Sequence, residues 1–208
     1  MSPPESSHAS AHTRLLPHGL TAGLPVGEEW VPTARWEPVR FPYDGSEIAH
    51  APHGNEALAR QAAEHAATLR HPVAKLPSQV RRRVLGGVTT ALEAVAREME
   101  DLLILERGKP RADCRTEVVR AMGTWQTAAD EVAHMHGQTV PLDLPPSGDG
   151  TTGYFTRRPV GVVAGITGFN YPTMPATHKN APTHTPSCPI SAVRRRDRSR
   201  VQPRRWRP

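Results

Sequence analysis

One side-chain amide lies where a buried strand is predicted to give way to a helix. Residues 160–166 form an apolar run without alternation, the pattern of a parallel strand that is buried on both faces. The chain then turns at Gly168 and restarts at Pro172, a residue that is tolerated in a first helical turn. Asn170 is therefore expected just past the carboxyl end of the strand, where open α/β sheets bind their ligands.

The carboxamide of Asn170 could stabilise an oxyanion. Its NH₂ group donates hydrogen bonds without titrating, so the donor is present across the pH range. Oxidation of an aldehyde by hydride transfer needs such a donor, because a thiolate adds to the carbonyl carbon and negative charge develops on the oxygen. An asparagine can also cap its own turn, and for an isolated Asn170 that structural role is the simpler interpretation.

Two segments carry a family resemblance. Residues 159–172, with Lys179 after them, resemble the first strand and turn of the cofactor domain in the NAD(P)-dependent aldehyde dehydrogenase superfamily. Residues 102–118 look like the family's helix ending in Glu-x-Gly-Lys-Pro and the helix that follows it, and we expect their role to be structural. Residues 42–45 also follow the family's order. The resemblance runs over residues 38–182. It implies that the chain corresponds to an N-terminal fragment of the family's longer proteins.

The resemblance implies roles for the residues around the turn. Asn170 matches the family's oxyanion donor, and Lys179 matches a lysine near the active site, with a position on the helix surface as the alternative. The implied cofactor is NAD or NADP, the implied substrate is an aldehyde, and no metal site is expected. Five more side chains would line the nicotinamide end of the cofactor groove (Ile166, Thr167 and Phe169) or the substrate tunnel (Tyr171 and Met174).

The expected fold class is α/β, as an incomplete Rossmann-like cofactor domain made of helices and a β arm, with disordered ends. Residues 1–30 are polar and lack periodicity, which predicts a disordered N-terminal tail. Residues 31–190 are expected to form the partial cofactor-binding domain. Residues 191–208 are expected to form a basic, disordered tail.

Apolar residues at helical spacing predict three helical regions before the strand. Asn55 is a candidate N-cap for the first, and Ser78 for the second. The second region has a predicted buried stripe that includes Val84, and the glycine pair at 86–87 could kink it. The third region covers residues 112–134, with an apolar face typical of a buried helix.

Short extended segments are predicted on either side of the helices. Residues 39–51 contain strand-like pieces around a turn, and residues 140–144 and 153–158 form a predicted β arm. Because an unpaired strand is a template for pairing, the arm could join the sheet edge of another subunit. This leaves a second functional interpretation open, in which the chain is a catalytically dead fragment that binds an intact paralogue.

The net charge of +6 comes from the end of the chain. Residues 191–208 contain eight arginines and one acidic residue, Asp197, whereas the remainder has 18 basic and 19 acidic side chains. The arginines show no periodicity and Trp206 is the one aromatic residue among them, which argues against a nucleic-acid partner. With two cysteines, no long apolar run and no signal peptide, we expect a cytoplasmic protein without a membrane partner.

The resemblance weakens after Pro182. The family continues with a small-residue helix, a second parallel strand and a Lys-Pro pair. We expect that the reading frame is lost near Pro182, regained briefly at Cys188 and lost again after Ile190; translation of the other two frames tests this. In the family, the nucleophilic cysteine and the general-base glutamate lie downstream of the last residue of this chain. Neither Cys114 nor Cys188 is a plausible nucleophile, so the chain is expected to be inactive alone.

Overall fold

The computed structural model describes residues 23–184 and the backbone of a strand at 190–194. Six α-helices and eight strands make up these described parts. They follow in the order β1 (Leu24–Val26), β2 (Glu29–Val31), β3 (Arg35–Arg40), β4 (Glu47–His53), α1 (Glu56–Thr68), α2 (Arg70–Ala74), α3 (Ser78–Ala94), α4 (Ala96–Arg107), α5 (Arg111–Glu131), β5 (Gln138–Pro141), β6 (Thr152–Phe155), β7 (Val163–Thr167), α6 (Thr173–His184) and β8 (Ile190–Arg194).

Helices α3, α4 and α5 form a layer around the apolar face of α5. One buried cluster joins α4 to α5 through Leu103, Cys114 and Val118. A second cluster extends from α3 and α5 to α6, and its members are Leu85, Ala128, Ala129, Val132 and Ala181. The predicted face of the third helical region is confirmed, since α5 buries residues at helical spacing along its length.

The helix ends follow local sequence signals in most places. Asn55 caps α1 as predicted, because its side chain accepts the N–H of Leu58 at 2.9 Å. Gly108 ends α4 in the left-handed conformation, with φ of 63°. Ser78 is the first residue of α3 rather than its cap, and its hydroxyl accepts a hydrogen bond from Arg81.

Two details of the second helical region differ from the prediction. Helix α3 continues through the glycine pair at 86–87, and the break between α3 and α4 lies at Val95. Val84 is 59% exposed whereas Leu85 beside it is buried. The apolar stripe therefore follows Leu85, because the face of α3 that contacts α5 is fixed by tertiary packing and not by hydrophobicity alone.

The strands pair in four two-stranded sheets within the described residues. Strands β3 and β4 form the predicted antiparallel hairpin, and β5 and β6 form the predicted arm. Strands β7 and β8 are parallel, with Val163 opposite Ile190, and α6 connects them. A parallel pair joined by a helix is the βαβ unit of doubly wound folds.

Strands lie within both segments that the sequence predicted as disordered tails. Strand β1 and the first two residues of β2 belong to the segment 1–30, and Gly27, with a φ of 66°, allows the tight turn between the two strands. Strand β8 extends four residues into the segment 191–208. Cys188 and the predicted disorder at 1–22 and 195–208 lie outside the described residues.

Strand β7 is less buried than its apolar run predicts. It starts at Val163 instead of residue 160, and Val160 is 88% exposed. Ile166 is 62% exposed, so the expectation of burial on both faces is wrong. The reason is that β7 has one strand neighbour, β8, in the described structure, although a central strand of a doubly wound sheet needs cover on both sides.

No helix within the described ranges combines the length and the apolar character that a membrane crossing requires.

Candidate active site at the exit of strand β7

The turn between β7 and α6 carries the predicted asparagine. Strand β7 ends at Thr167 and α6 begins at Thr173, so Asn170 lies past the carboxyl end of the strand, as the sequence predicts. Asn170 is exposed. Its Oδ1 atom lies near Gly168, where an added Cβ would be 3.5 Å away. The side chain has no hydrogen bond to any described residue, so the self-capping alternative is not observed.

A buried carboxylate holds the other end of this turn. Glu117 on α5 has a side chain with 0% exposure. Its Oε1 accepts the N–H of Thr173 at 2.9 Å and the N–H of Met174 at 3.3 Å. These amides belong to the first turn of α6, where no intrahelical acceptor is available. Negative charge at this position is also favoured by the helix dipole.

Lys109 completes the contact on the opposite side of Glu117. Its Nζ lies 3.1 Å from Oε2 of Glu117, and its side chain is 18% exposed. The same ammonium group lies 3.5 Å from the centroid of the Tyr171 ring. A cation over an aromatic face is attracted by the ring quadrupole. Lys109 therefore links the buried carboxylate to the residue that follows Asn170.

The predicted cofactor-groove residues differ in exposure. Thr167 is buried at the end of β7. Ile166 is 62% exposed and Phe169 is 39% exposed, so two apolar side chains are accessible at the strand exit. The guanidinium carbon of Arg107 lies 5.7 Å from the centroid of the Phe169 ring. The exit thus presents apolar surface beside one exposed carboxamide.

Lys179 and Met174 lie on α6 and not on the turn. Met174 is half-buried in the first helical turn. Lys179 is also half-buried, roughly 9 Å further along the helix axis than Thr173 at the usual rise per residue. Its carbonyl accepts the hydroxyl of Thr183 at 2.5 Å. The structure brings Tyr171 and Met174 to the Glu117–Lys109 contact, whereas Lys179 makes no hydrogen bond or ion pair with Glu117 or Lys109.

One cavity lies beside the turn, and a larger one lies between α5 and α6. A small cavity of about 150 Å³ lies against the start of α6 and is lined by Pro172 and Thr173 together with α4. A larger groove of about 590 Å³ lies between α5 and α6, lined by residues that include Gly123, Thr127 and His178. None of the predicted site residues lines that larger groove, so volume alone does not identify the site.

Cys114 is a structural residue of the helical layer. It is fully buried between α4 and α5, and its thiol lies 3.8 Å from the carbonyl oxygen of Lys109. Burial raises the pKa of the Cys114 thiol above its ordinary value, and the nearby Lys109 charge only partly opposes this. A protonated, inaccessible thiol is a poor nucleophile.

The Glu117–Lys109 pair was missed by sequence reasoning, which interpreted residues 102–118 as helix punctuation. One signal could have found it. Glu117 lies on the apolar face of α5 with Cys114, Val118 and Ala121, all buried at helical spacing. A carboxylate on such a face needs a partner, because burial of an unpaired charge is costly.

The fold and the site together define a class of protein. A parallel β7–α6–β8 unit, with polar chemistry at the exit of its first strand, is characteristic of Rossmann-like cofactor domains. Residues 30–189 match the aldehyde dehydrogenase family. Because this match covers most of the chain, the chain belongs to that family. The resemblance predicted over residues 38–182 is confirmed, and the matched range is wider at both ends.

Individual relatives give the same result. A lactaldehyde dehydrogenase from Methanocaldococcus jannaschii is 31% identical over 142 residues, which cover 68% of this chain and 29% of that protein. Aldehyde dehydrogenase 21 from Physcomitrella patens, solved with its reaction product succinate, aligns with a TM-score of 0.73 at 29% identity, covering 76% of this chain and 33% of that one. The chain spans less than a third of the length of the curated relatives it matches.

A further structure bears on the cofactor. Glyceraldehyde-3-phosphate dehydrogenase from Methanocaldococcus jannaschii, complexed with NADP, aligns with a TM-score of 0.70 at 28% identity. The alignment covers 76% of this chain and 34% of that one. The family's cofactor is therefore NAD or NADP, as the resemblance implied.

Proposed function

We propose that this chain supplies the oxyanion-binding turn of an NAD(P)-dependent aldehyde dehydrogenase, which oxidises an aldehyde to an acid through a thiohemiacetal. The observation that carries the proposal is the position of Asn170. It lies exposed at the exit of β7, and none of the described residues takes its side-chain hydrogen bonds. A carboxamide held there can donate to the oxygen of a carbonyl under attack.

The exit of β7 also fits one end of the proposed cofactor. The accessible side chains of Ile166 and Phe169 offer apolar surface against which a nicotinamide ring could pack, with Thr167 at the strand end. When bound, NAD or NADP supplies the hydride acceptor. Tyr171 and Met174, on the helix side of the turn, remain the proposed lining of the substrate tunnel, and Lys179 is proposed as a more distant active-site residue.

The proposed role of Asn170 is testable in a full-length host. Residues 30–189 would replace the matching segment of the Methanocaldococcus jannaschii lactaldehyde dehydrogenase, and kcat and KM would be measured with NAD and NADP. In the chimera, Asn170→Ala should lower kcat by about 10²–10³-fold, the usual effect of losing an oxyanion donor. The KM for the cofactor should change little, because the carboxamide acts on the developing charge.

Asn55→Ala is the matched control for this experiment. It deletes the same functional group from the cap of α1, so it should leave kcat within about twofold while it removes the helix cap. An active chimera in which Asn170→Ala has no greater effect on kcat than Asn55→Ala contradicts the oxyanion role.

We also propose that the chain alone is inactive. Among the described residues, the one cysteine is Cys114, which is buried and protonated at neutral pH. Incubation of the purified chain with NAD or NADP and a panel of aldehydes should therefore give no reduced cofactor by absorbance. Stoichiometric reduction would show that a nucleophile is present after all.

A second candidate function has its own structural support. The β5–β6 arm is a two-stranded sheet with exposed apolar side chains: Tyr154 on β6 is 79% exposed, and Leu144 in the connection between the strands is 83% exposed. Pairing with a sheet edge of an intact family member, or of a second copy, would cover this surface. In sedimentation of mixtures with the full-length paralogue, Tyr154→Ser should weaken complex formation. Tyr43→Ser, which removes a tyrosine that is 88% exposed elsewhere, should not.

A further inference from the structure

The start of α6 is attached to the helical layer by a carboxylate that is distant in sequence. Glu117 lies 56 positions before Thr173, whose N–H its Oε1 accepts. Because the same oxygen also accepts the N–H of Met174, the first turn of α6 is fixed to the middle of α5. The position of α6 determines where the preceding turn ends.

The other end of the turn is fixed by the same group of residues. Tyr171 immediately follows Asn170, and its ring lies against the Lys109 ammonium that pairs with Glu117. Thr167, before the turn, is buried at the end of β7. Asn170 therefore lies between two anchored positions, although its own side chain has no described partner.

We propose that Glu117, held by Lys109, is a positioning residue that fixes the orientation of the Asn170 turn. This inference rests on the proposed oxyanion role of Asn170 for its functional meaning. Its structural content is independent: removal of the Glu117 carboxylate releases the amides of Thr173 and Met174 and lets the turn move. Preorganised donors need such support, because a turn displaced by a fraction of an ångström loses its alignment with the developing charge.

The chain contains a matched control for this carboxylate. Glu100 on α4 is 6% exposed and is the other buried glutamate among the described residues. It pairs with Arg115 and Arg111, at 3.4 and 3.7 Å, both on α5. Glu100 thus contributes to the packing of α4 on α5, without a hydrogen bond to the turn or to α6.

Amide hydrogen exchange on the ¹⁵N-labelled 208-residue chain tests the proposal. In Glu117→Ala, exchange at Thr173 and Met174 should accelerate about 10–100-fold relative to the core amide of Val118, as expected for loss of hydrogen bonds to a charged acceptor. The side-chain ¹⁵N–¹H signals of Asn170 should shift as well. In Glu100→Ala, the exchange rates of Thr173 and Met174 relative to that of Val118 should stay within about twofold of those in the unsubstituted chain. The reason is that this substitution affects only general stability.

A conservative variant keeps the test decisive if Glu117→Ala does not fold. Glu117→Gln retains one neutral acceptor oxygen, so the relative acceleration at Thr173 and Met174 should be smaller, about threefold to tenfold. Equal acceleration at Thr173, Met174 and Val118 in the folded variant would overturn the proposal, as would unchanged Asn170 signals.

Kinetics in the chimera separate this proposal from the proposed function. If Asn170→Ala lowers kcat, Glu117→Gln should lower kcat in the same direction with little change in KM, and the two effects should be less than additive. If Asn170→Ala leaves kcat unchanged, the oxyanion role fails, and the exchange result still decides whether Glu117 fixes the turn.

Discussion

The helical layer and the β7–α6 unit are held together in different ways. In the layer of α3, α4 and α5, apolar side chains such as Leu85, Leu103 and Val118 are at most 4% exposed and form the centre of two buried clusters. In the β7–α6 unit, Ile166 is 62% exposed. Apolar burial therefore stabilises the layer, whereas the site-bearing unit is attached to it by the buried Ala181 side chain and by the hydrogen bonds to Glu117.

Among the substitutions that test this comparison, removal of the Glu117 carboxylate should cause the largest loss of unfolding free energy. Glu117→Ala leaves Lys109 partly buried without its partner, and breaking a buried pair costs about 3–5 kcal/mol of unfolding free energy. Glu100→Ala should cost only about 1 kcal/mol, because Arg111 and Arg115 are 55% and 63% exposed and regain water. Urea denaturation followed by circular dichroism measures both, and equal losses would contradict the contrast.

A larger side chain at Ala181 should disturb the packing of α6 on the helical layer, with a loss of unfolding free energy smaller than that of Glu117→Ala. Ala181 on α6 is 0% exposed and packs in the cluster with Leu85 and Ala128. Ala181→Leu should cost about 1–3 kcal/mol, because the cluster has no room for three more carbons. The exposed Ala112 on α5 is the control, and Ala112→Leu should stay within about 0.5 kcal/mol. Thermal unfolding of both variants checks the difference.

The smallest expected effect is the change of unfolding free energy with pH that arises from Cys114 in the helical layer. The pKa of the Cys114 thiol is raised by burial in the folded state, so the protonated thiol contributes stability that is fully present below the ordinary pKa of 9.0. Above that value the unfolded chain loses the proton first, and stability should fall by up to about 1.4 kcal/mol per pH unit. Cys114→Ala should remove this part of the slope in urea titrations between pH 8 and pH 10.

Local sequence signals predicted the parts of the fold that local physics determines. The cap at Asn55 and the end of α4 at Gly108 each depend on residues within one helical turn. The position of Asn170 at a strand exit was predictable for the same reason, since an apolar run, a glycine and a proline mark strand, turn and helix. These signals needed no knowledge of the rest of the chain.

The contacts that hold the site depend on residues far apart in sequence, and they were not predictable from local patterns. The hydrogen bond from Thr173 to Glu117 needs the packing of α6 on α5, which periodicity does not specify. The exposure of Val84 and of Ile166 has the same origin, because each depends on which neighbour covers a given face. The β1–β2 hairpin is different, since the turn at Gly27 was a local signal that the polar composition obscured.

The carboxylate of Glu117 has one more consequence. Many nucleotide-binding domains place a pyrophosphate at the amino end of the first helix after the first strand, where free amides and the helix dipole attract anions. In this protein that end of α6 is already neutralised from within by Glu117. The N–H groups of Thr173 and Met174 already donate to a side chain of the protein itself, so they are not available as donors to a phosphate group.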